Sequence, residues 1–246
     1  MKLDVFINPN FIEKEEQFDK SLVLMIDVLR ASSTICAAIY NGASEVIPIE
    51  SIDKAVQIYS SLSKDKRFLG GERNGLKPSG FDGGNSPSEY TLENIKGKII
   101  VLTTTNGTHI FQKAKDASAK VIVGFVNISE VIQFVKKYCD ENEINQISIL
   151  CAGNNGRISY EDTLCSGAII EKLTPLFNDL ILTDSSNLAK NLYNIHKDNI
   201  NEFIYTLDHS KHLKEIGLGE DIEICISTDK YPVVPIIIGN SIKKIE

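Results

Sequence analysis

The sequence predicts an α/β protein assembled from strand-loop-helix units, and three observations predict it. Apolar runs of four to seven residues recur along the 246-residue chain, too short for buried helices and bounded by Gly, Pro, Asn or Ser. Several of these runs lead into a polar loop and then into a stretch with apolar residues at helical spacing, the rhythm of a sheet covered by helices. Hydrophobic residues make up 42% and charged residues 24%, as in ordinary globular proteins rather than disordered or fibrous ones. The length suits a single domain spanning residues 1–246, with room for two α/β subdomains.

The elements follow in order. Residues 3–7 alternate with period two and stop at Asn8-Pro9, an opening strand. Residues 22–26, LVLMI, form a buried strand that delivers Asp27, Arg30 and the hydroxyls of Ser32, Ser33 and Thr34 to the start of a helix. Ser32 or Ser33 is expected to cap that helix and Asn41-Gly42 to end it. A short strand at 45–49 and an amphipathic helix at 52–62 come next. Residues 68–87 hold six glycines and two prolines in twenty positions, so a long loop is expected, carrying Glu72, Arg73, Lys77, Asp82 and Asn85. Beyond it, a strand at 97–103 precedes the loop Thr104-Thr105-Asn106-Gly107-Thr108 and a helix through 115. A strand at 121–126 and a helix at 129–138 continue the pattern. The strand 147–150 runs into Cys151-Ala-Gly-Asn-Asn-Gly-Arg157, after which Glu161-Asp162 head a helix reaching 170. The remainder reads as a strand at 180–183, helices at 186–193 and 203–218, and final strands at 221–227 and 233–238. His209 and His212, three residues apart among Lys211, Lys214 and Glu215, are expected on a solvated surface.

Several functional classes are disfavoured. A net charge of -7, with no long Lys/Arg run, argues against nucleic acid as a partner. No apolar stretch approaches the roughly 18 residues that span a bilayer, and the first ten residues lack a signal-peptide core, so a cytoplasmic protein with no membrane partner is expected. Five scattered cysteines form no CxxC or zinc-ligand pair.

The candidate chemistry sits at the strand ends. A carboxylate there, followed by an arginine, hydroxyls and helix amides, is the layout of a metal-assisted phosphate site. Adjacent acids at a helix start suit the helix dipole, but one acid suffices for that, so metal ligation or acid-base work competes as a role for the pair. Candidate catalytic and metal-ligating residues are therefore Asp27, Glu161 and Asp162, and their oxygen ligands favour a hard ion such as Mg²⁺. Candidate substrate-binding residues are Arg30, Ser32, Ser33 and Thr34 in the first loop, Arg73 in the glycine-rich loop, Asn106, Gly107 and Thr108 in the second, and Asn154, Asn155 and Arg157 in the third. Each loop alone also reads as a capped turn. In open α/β sheets, however, ligands sit beyond the carboxyl ends of strands, where the three loops would converge. Cys151 and Arg157 also spell C-x5-R, the phosphate loop of cysteine phosphatases, although Leu150 and Ile158 stand where those enzymes carry His and Ser or Thr. Core packing is the alternative for that thiol.

IDVLRASST at 26–34, GERNG at 71–75, GFDGGNSP at 80–87, TTTNGT at 103–108, CAGNNGR at 151–157 and EDTLCSGA at 161–168 resemble the 2-phosphosulfolactate phosphatase family. DIEIC at 221–225 and VVP at 233–235 resemble that family's ending. The resemblance implies a three-layer α/β/α fold and a Mg²⁺-dependent hydrolysis of 2-phosphosulfolactate to sulfolactate, a step toward coenzyme M. The partner it implies is a small phosphorylated, sulfonated hydroxy acid, and a homodimer is a further expectation. Two alternatives stand beside it: a metal-free cysteine phosphatase using Cys151 and Arg157 on another phosphate ester, and a non-catalytic sensor of a phosphorylated anion.

Overall fold

A computed structural model describes residues 1–12, 18–111 and 113–245, without the side chains of Thr108 and His109. The described strands are β1 (Lys2–Phe6), β2 (Ser21–Ile26), β3 (Glu45–Pro48), β4 (Arg67–Gly71), β5 (Ile99–Thr103), β6 (Ala119–Val123), β7 (Gln146–Cys151), β8 (Ile181–Leu182), β9 (Pro235–Ile238) and β10 (Ser241–Lys244). They form one sheet in the order β4-β5-β3-β10-β9-β6-β2-β7-β1-β8. Two parallel blocks, β4-β5-β3 and β6-β2-β7-β1-β8, are joined by antiparallel pairings through β9 and β10 and so run in opposite directions.

β2 is buried along its whole length because both of its faces are covered. Leu22, Leu24 and Ile26 pack into one apolar cluster with α5 (Ile128–Glu141) and α6 (Tyr160–Leu173). Val23 and Met25 pack into another with α1 (Ala31–Tyr40). A continuous apolar run, rather than alternation, is what such a two-sided strand requires. The architecture is the three-layer α/β/α arrangement.

Several expectations are corrected. Residues 221–227 are not a strand: α10 (Glu220–Ile226) buries Ile222, Cys225 and Ile226, a helical spacing that the Ile222-Ile224-Ile226 alternation masks. The stretch 203–218 is two helices, α8 (Ile200–Tyr205) and α9 (Asp208–Glu215), and the chain closes with the unforeseen β10. The glycine-rich stretch begins as strand β4, which takes in Phe68 to Gly71. Gly70 is needed there because a side chain would collide with the Tyr90 hydroxyl. The start of α1 is capped by neither Ser32 nor Ser33: Arg30 occupies the cap position without a side-chain bond, and both serines lie inside the helix. The helix does end at Asn41.

Candidate active site

β2 carries Asp27 out of the core at its carboxyl end, and the loop that follows closes around it. The Asp27 amide donates to Ser32 Oγ at 2.8 Å, Ser32 N returns a bond to the Asp27 carbonyl at 2.9 Å, and Ala31 N donates to Asp27 Oδ1 at 3.3 Å. The first helix amide thus faces this carboxylate. Ser33 Oγ donates to the Val28 carbonyl at 3.0 Å and Thr34 Oγ1 to the Asn85 carbonyl at 2.8 Å. All three hydroxyls are fully buried, so they brace the loop and do not form the cavity wall.

The cavity has a volume of about 410 Å³. Its wall is drawn from four places: Asp27, Leu29 and Arg30 after β2; Glu72, Asn74, Gly75 and Asn85 after β4; Thr104, Thr105 and Asn106 after β5; Asn154 and Asn155 after β7. Asp208, His209, His212 and Leu213 of α9 cover it. The loops of the two opposed strand blocks meet here. Gly107 permits the closest approach, since a Cβ there would lie 2.5 Å from Ala31 Cβ and 2.6 Å from Asp27 Oδ2. The Thr108 side chain lies outside the described residues.

Carboxylates dominate the electrostatics. Burial raises the Asp27 carboxyl to about 6; His209 and the Ala31 amide oppose the rise, while Glu72 and Glu161 add to it. Glu72, 6% exposed, accepts bonds from Thr105 N at 2.6 Å and Gly75 N at 2.7 Å. Asp162 lies behind the wall, where its two oxygens take Val28 N at 2.9 Å and Gly153 N at 3.1 Å and so tie the β2 and β7 loops together. Burial, then the charges of Asp27 and Glu161, hold Asp162 well above the ordinary carboxylate range. Glu161 Oε1 lies 2.8 Å from His209 Nδ1. Burial alone would lower the His209 value, but the Glu161 contact and the Asp27 charge raise it. His209 therefore faces the cavity instead of solvent, a correction, while His212 sits exposed at the rim.

The three arginines part ways. Arg30 lines the cavity with its guanidinium 2.6 Å from Asp221 Oδ2 and 2.7 Å from the Gly75 carbonyl. Arg73 donates to the carbonyls of Glu72 and Glu50, both at 2.6 Å, and is not part of the wall. Arg157 is exposed and also outside the wall, its backbone paired with Asn154.

A family model for 2-phosphosulpholactate phosphatase matches residues 6–240. The chain belongs to this family. Among its relatives, a probable 2-phosphosulfolactate phosphatase of Caldanaerobacter subterraneus subsp. tengcongensis is 37% identical over 235 residues, covering 96% of this chain and 95% of the relative. One of Thermotoga maritima is 40% identical over 216 residues, 88% of each chain, and one of Clostridium acetobutylicum is 37% identical over 235 residues, 96% and 97%. The Glu72 carboxylate, which sequence reasoning had noted only as part of a loop, lies within the GERNG motif by which the chain resembles this family. Cys151 ends β7 fully buried, its Sγ 3.2 Å from Ser166 Oγ, and burial pushes the thiol up rather than down. A reactive thiolate needs the reverse, and Cys151 is also absent from the cavity wall, so its burial favours a packing role. No helix among the described residues is long and apolar enough to cross a membrane.

Proposed function

We propose that the chain hydrolyses the phosphate ester of 2-phosphosulfolactate to sulfolactate and inorganic phosphate, with Mg²⁺ at the Asp27 cavity. The observation that carries this reading is the charge imbalance there. Asp27 and Glu72 lie on the wall and Glu161 and Asp162 just behind it, all at most 6% exposed, whereas among the described residues Arg30 is answered by Asp221 and His209 by Glu161. A divalent ion fits such a site. Among the described residues no three His, Cys, Asp or Glu side chains converge as a complete cage. Mg²⁺ typically takes one or two carboxylates and completes its shell with water and phosphate oxygens. Asp27 and Glu72, both on the wall, are the residues that would hold it, with Glu161 and Asp162 behind them. When bound, the ion neutralises charge on the phosphoryl oxygens.

The remaining work falls to the chain. Water attacks phosphorus, the P–O bond to the hydroxy acid breaks, and the leaving oxygen takes up a proton. Asp27 lines the cavity as ion ligand or proton acceptor, and His209, 2.8 Å from Glu161 with its value raised by that contact, is the cavity-lining group that would give a proton to the leaving oxygen. The asparagines offer neutral donors to the substrate's oxyanions. Coenzyme M biosynthesis, a cytoplasmic location and a homodimer complete the proposal. The test is turnover of 2-phosphosulfolactate before and after chelation: activity should vanish with chelator and return with Mg²⁺. Full turnover in excess chelator would overturn the metal reading, and absence of turnover with Mg²⁺ present would leave the anion-sensor alternative.

A further inference from the structure

We propose that Asp221 is a positioning residue: it sets the plane of the Arg30 guanidinium so that the donors left over meet an anionic group of the substrate. The proposal rests on the phosphatase reading above for the identity of that substrate. Arg30 lines the cavity, whereas Asp221, 3% exposed, does not, so the acid acts on the substrate through the arginine.

A guanidinium holds its N–H donors in one rigid plane, so fixing two of its nitrogens fixes where the other donors point. Both terminal nitrogens are fixed here, Nη1 by Asp221 Oδ2 at 2.6 Å and Nη2 by the Gly75 carbonyl at 2.7 Å. Asp221 spends only Oδ2 on Arg30, because its Oδ1 takes the Ser86 hydroxyl at 2.5 Å. A side-by-side pair would consume two N–H groups on one carboxylate. This end-on contact leaves the remaining N–H groups, that of Nε among them, without a partner among the described residues. Nε is not one of the polar atoms sealed from solvent without a partner, so it keeps accessible surface on a residue that lines the cavity.

The anchors are themselves held. Asp221 lies in the first turn of α10, which Ile222, Cys225 and Ile226 seat in the core. Gly75 donates in turn to Glu72 Oε2 at 2.7 Å, and with a φ of 83° it sits where a Cβ would lie 2.5 Å from Ile216 Cδ1. The plane of the arginine is thus set from two elements outside its own loop, α10 and the loop after β4, which is the support a preorganised binding group needs.

The test is steady-state hydrolysis of 2-phosphosulfolactate by wild type, Asp221→Ala and Asp221→Asn, with circular dichroism confirming the fold. Asp221→Ala releases the guanidinium and should raise KM about tenfold to a hundredfold with a much smaller change in kcat, the pattern of an interaction that serves ground and transition states alike. Asp221→Asn keeps an oxygen for Nη1 while removing the charge, so its KM should stay within about threefold of wild type. An acid that merely answers the arginine's charge predicts the reverse: both variants would free the cation to attract an anion, and KM would fall. A KM unchanged or lowered in Asp221→Ala, or raised as much in Asp221→Asn as in Asp221→Ala, would overturn the proposal. Should Asp221→Ala fail to fold, Ser86→Ala, which loosens the acid without unpairing a charge, takes its place: a severalfold rise in KM supports positioning, and none refutes it. Should wild type hydrolyse nothing, the phosphatase reading falls by itself. Calorimetry with sulfolactate then decides, weaker binding by the variant supporting the positioning role and equal or no binding refuting it.

Discussion

Asp27 is the residue on which the site turns. Its carboxylate lies at the end of a strand buried on both faces, receives the first amide of α1, and is pushed to about 6 by burial. On the proposed reading it is ion ligand or proton acceptor, and either role would tie it to the chemical step. Asp27→Asn keeps the shape and removes the charge, so kcat is expected to fall at least about a hundredfold, as for loss of a positioned catalytic group. Steady-state kinetics at saturating substrate and Mg²⁺ provide the check, and a rate within a few-fold of wild type would shift the chemistry to Glu72 and His209. Asp27 was legible in sequence because an acid directly after five apolar residues is conspicuous. His209 was not: the lysines around it face outward from the same short helix, and nothing local says that α9 folds over the cavity.

At the scale of elements, the site is held by an ion pair that joins three segments distant in sequence. Arg30 precedes α1, Asp221 opens α10, and Ser86 comes from the long loop, and the Arg30 and Asp221 side chains are only 3% and 5% exposed. Removing one partner leaves a buried charge unanswered, so Asp221→Ala is expected to cost about 3–5 kcal/mol of unfolding free energy in chemical denaturation. Arg30→Met combined with Asp221→Leu should recover much of that loss. A cost below about 1 kcal/mol for the single change would mean that the pair is solvated in solution. The identity of α10 shows why this contact was missed. Its Ile222-Ile224-Ile226 alternation reads as a strand, and a strand would have no first turn from which an acid could reach Arg30. The helix is chosen by packing, since Ile222, Cys225 and Ile226 together close the core.

For the whole molecule, the gathered acids oppose stability. Raising Asp27 from an ordinary aspartate value near 3.8 to about 6 means that its ionised form is disfavoured in the fold. The stabilisation is therefore complete below the unfolded value and is lost as pH rises through about 6, a difference on the order of 3 kcal/mol. Asp162, raised for the same reason, acts in the same direction. The metal-free protein is thus expected to melt several degrees lower at pH 7.5 than at pH 5, and Asp27→Asn to flatten that profile. Scanning calorimetry in chelator would decide it, and a melting temperature that rises from pH 5 to 7.5 would contradict the placement of these charges.

What the sequence determined by itself is local and periodic. Apolar runs and loop composition were enough to assign the α/β class, β2, β5 and β7 with their polar loops, and the convergence of Asp27, Asn106, Asn154 and Asn155 on one place. The motifs in order, GERNG and CAGNNGR among them, carried the family. Tertiary structure alone decided which polar groups face the cavity and which are consumed in holding it. Ser32, Ser33, Thr34, Arg73 and Asp162 have the right chemistry for binding, but each satisfies buried backbone groups or neighbouring side chains. Glu72 and His209 arrive from segments 45 and 182 residues away from Asp27. The reason is physical: a side chain's partners are fixed by packing across the sheet, whereas a sequence window reports only the neighbours along the chain.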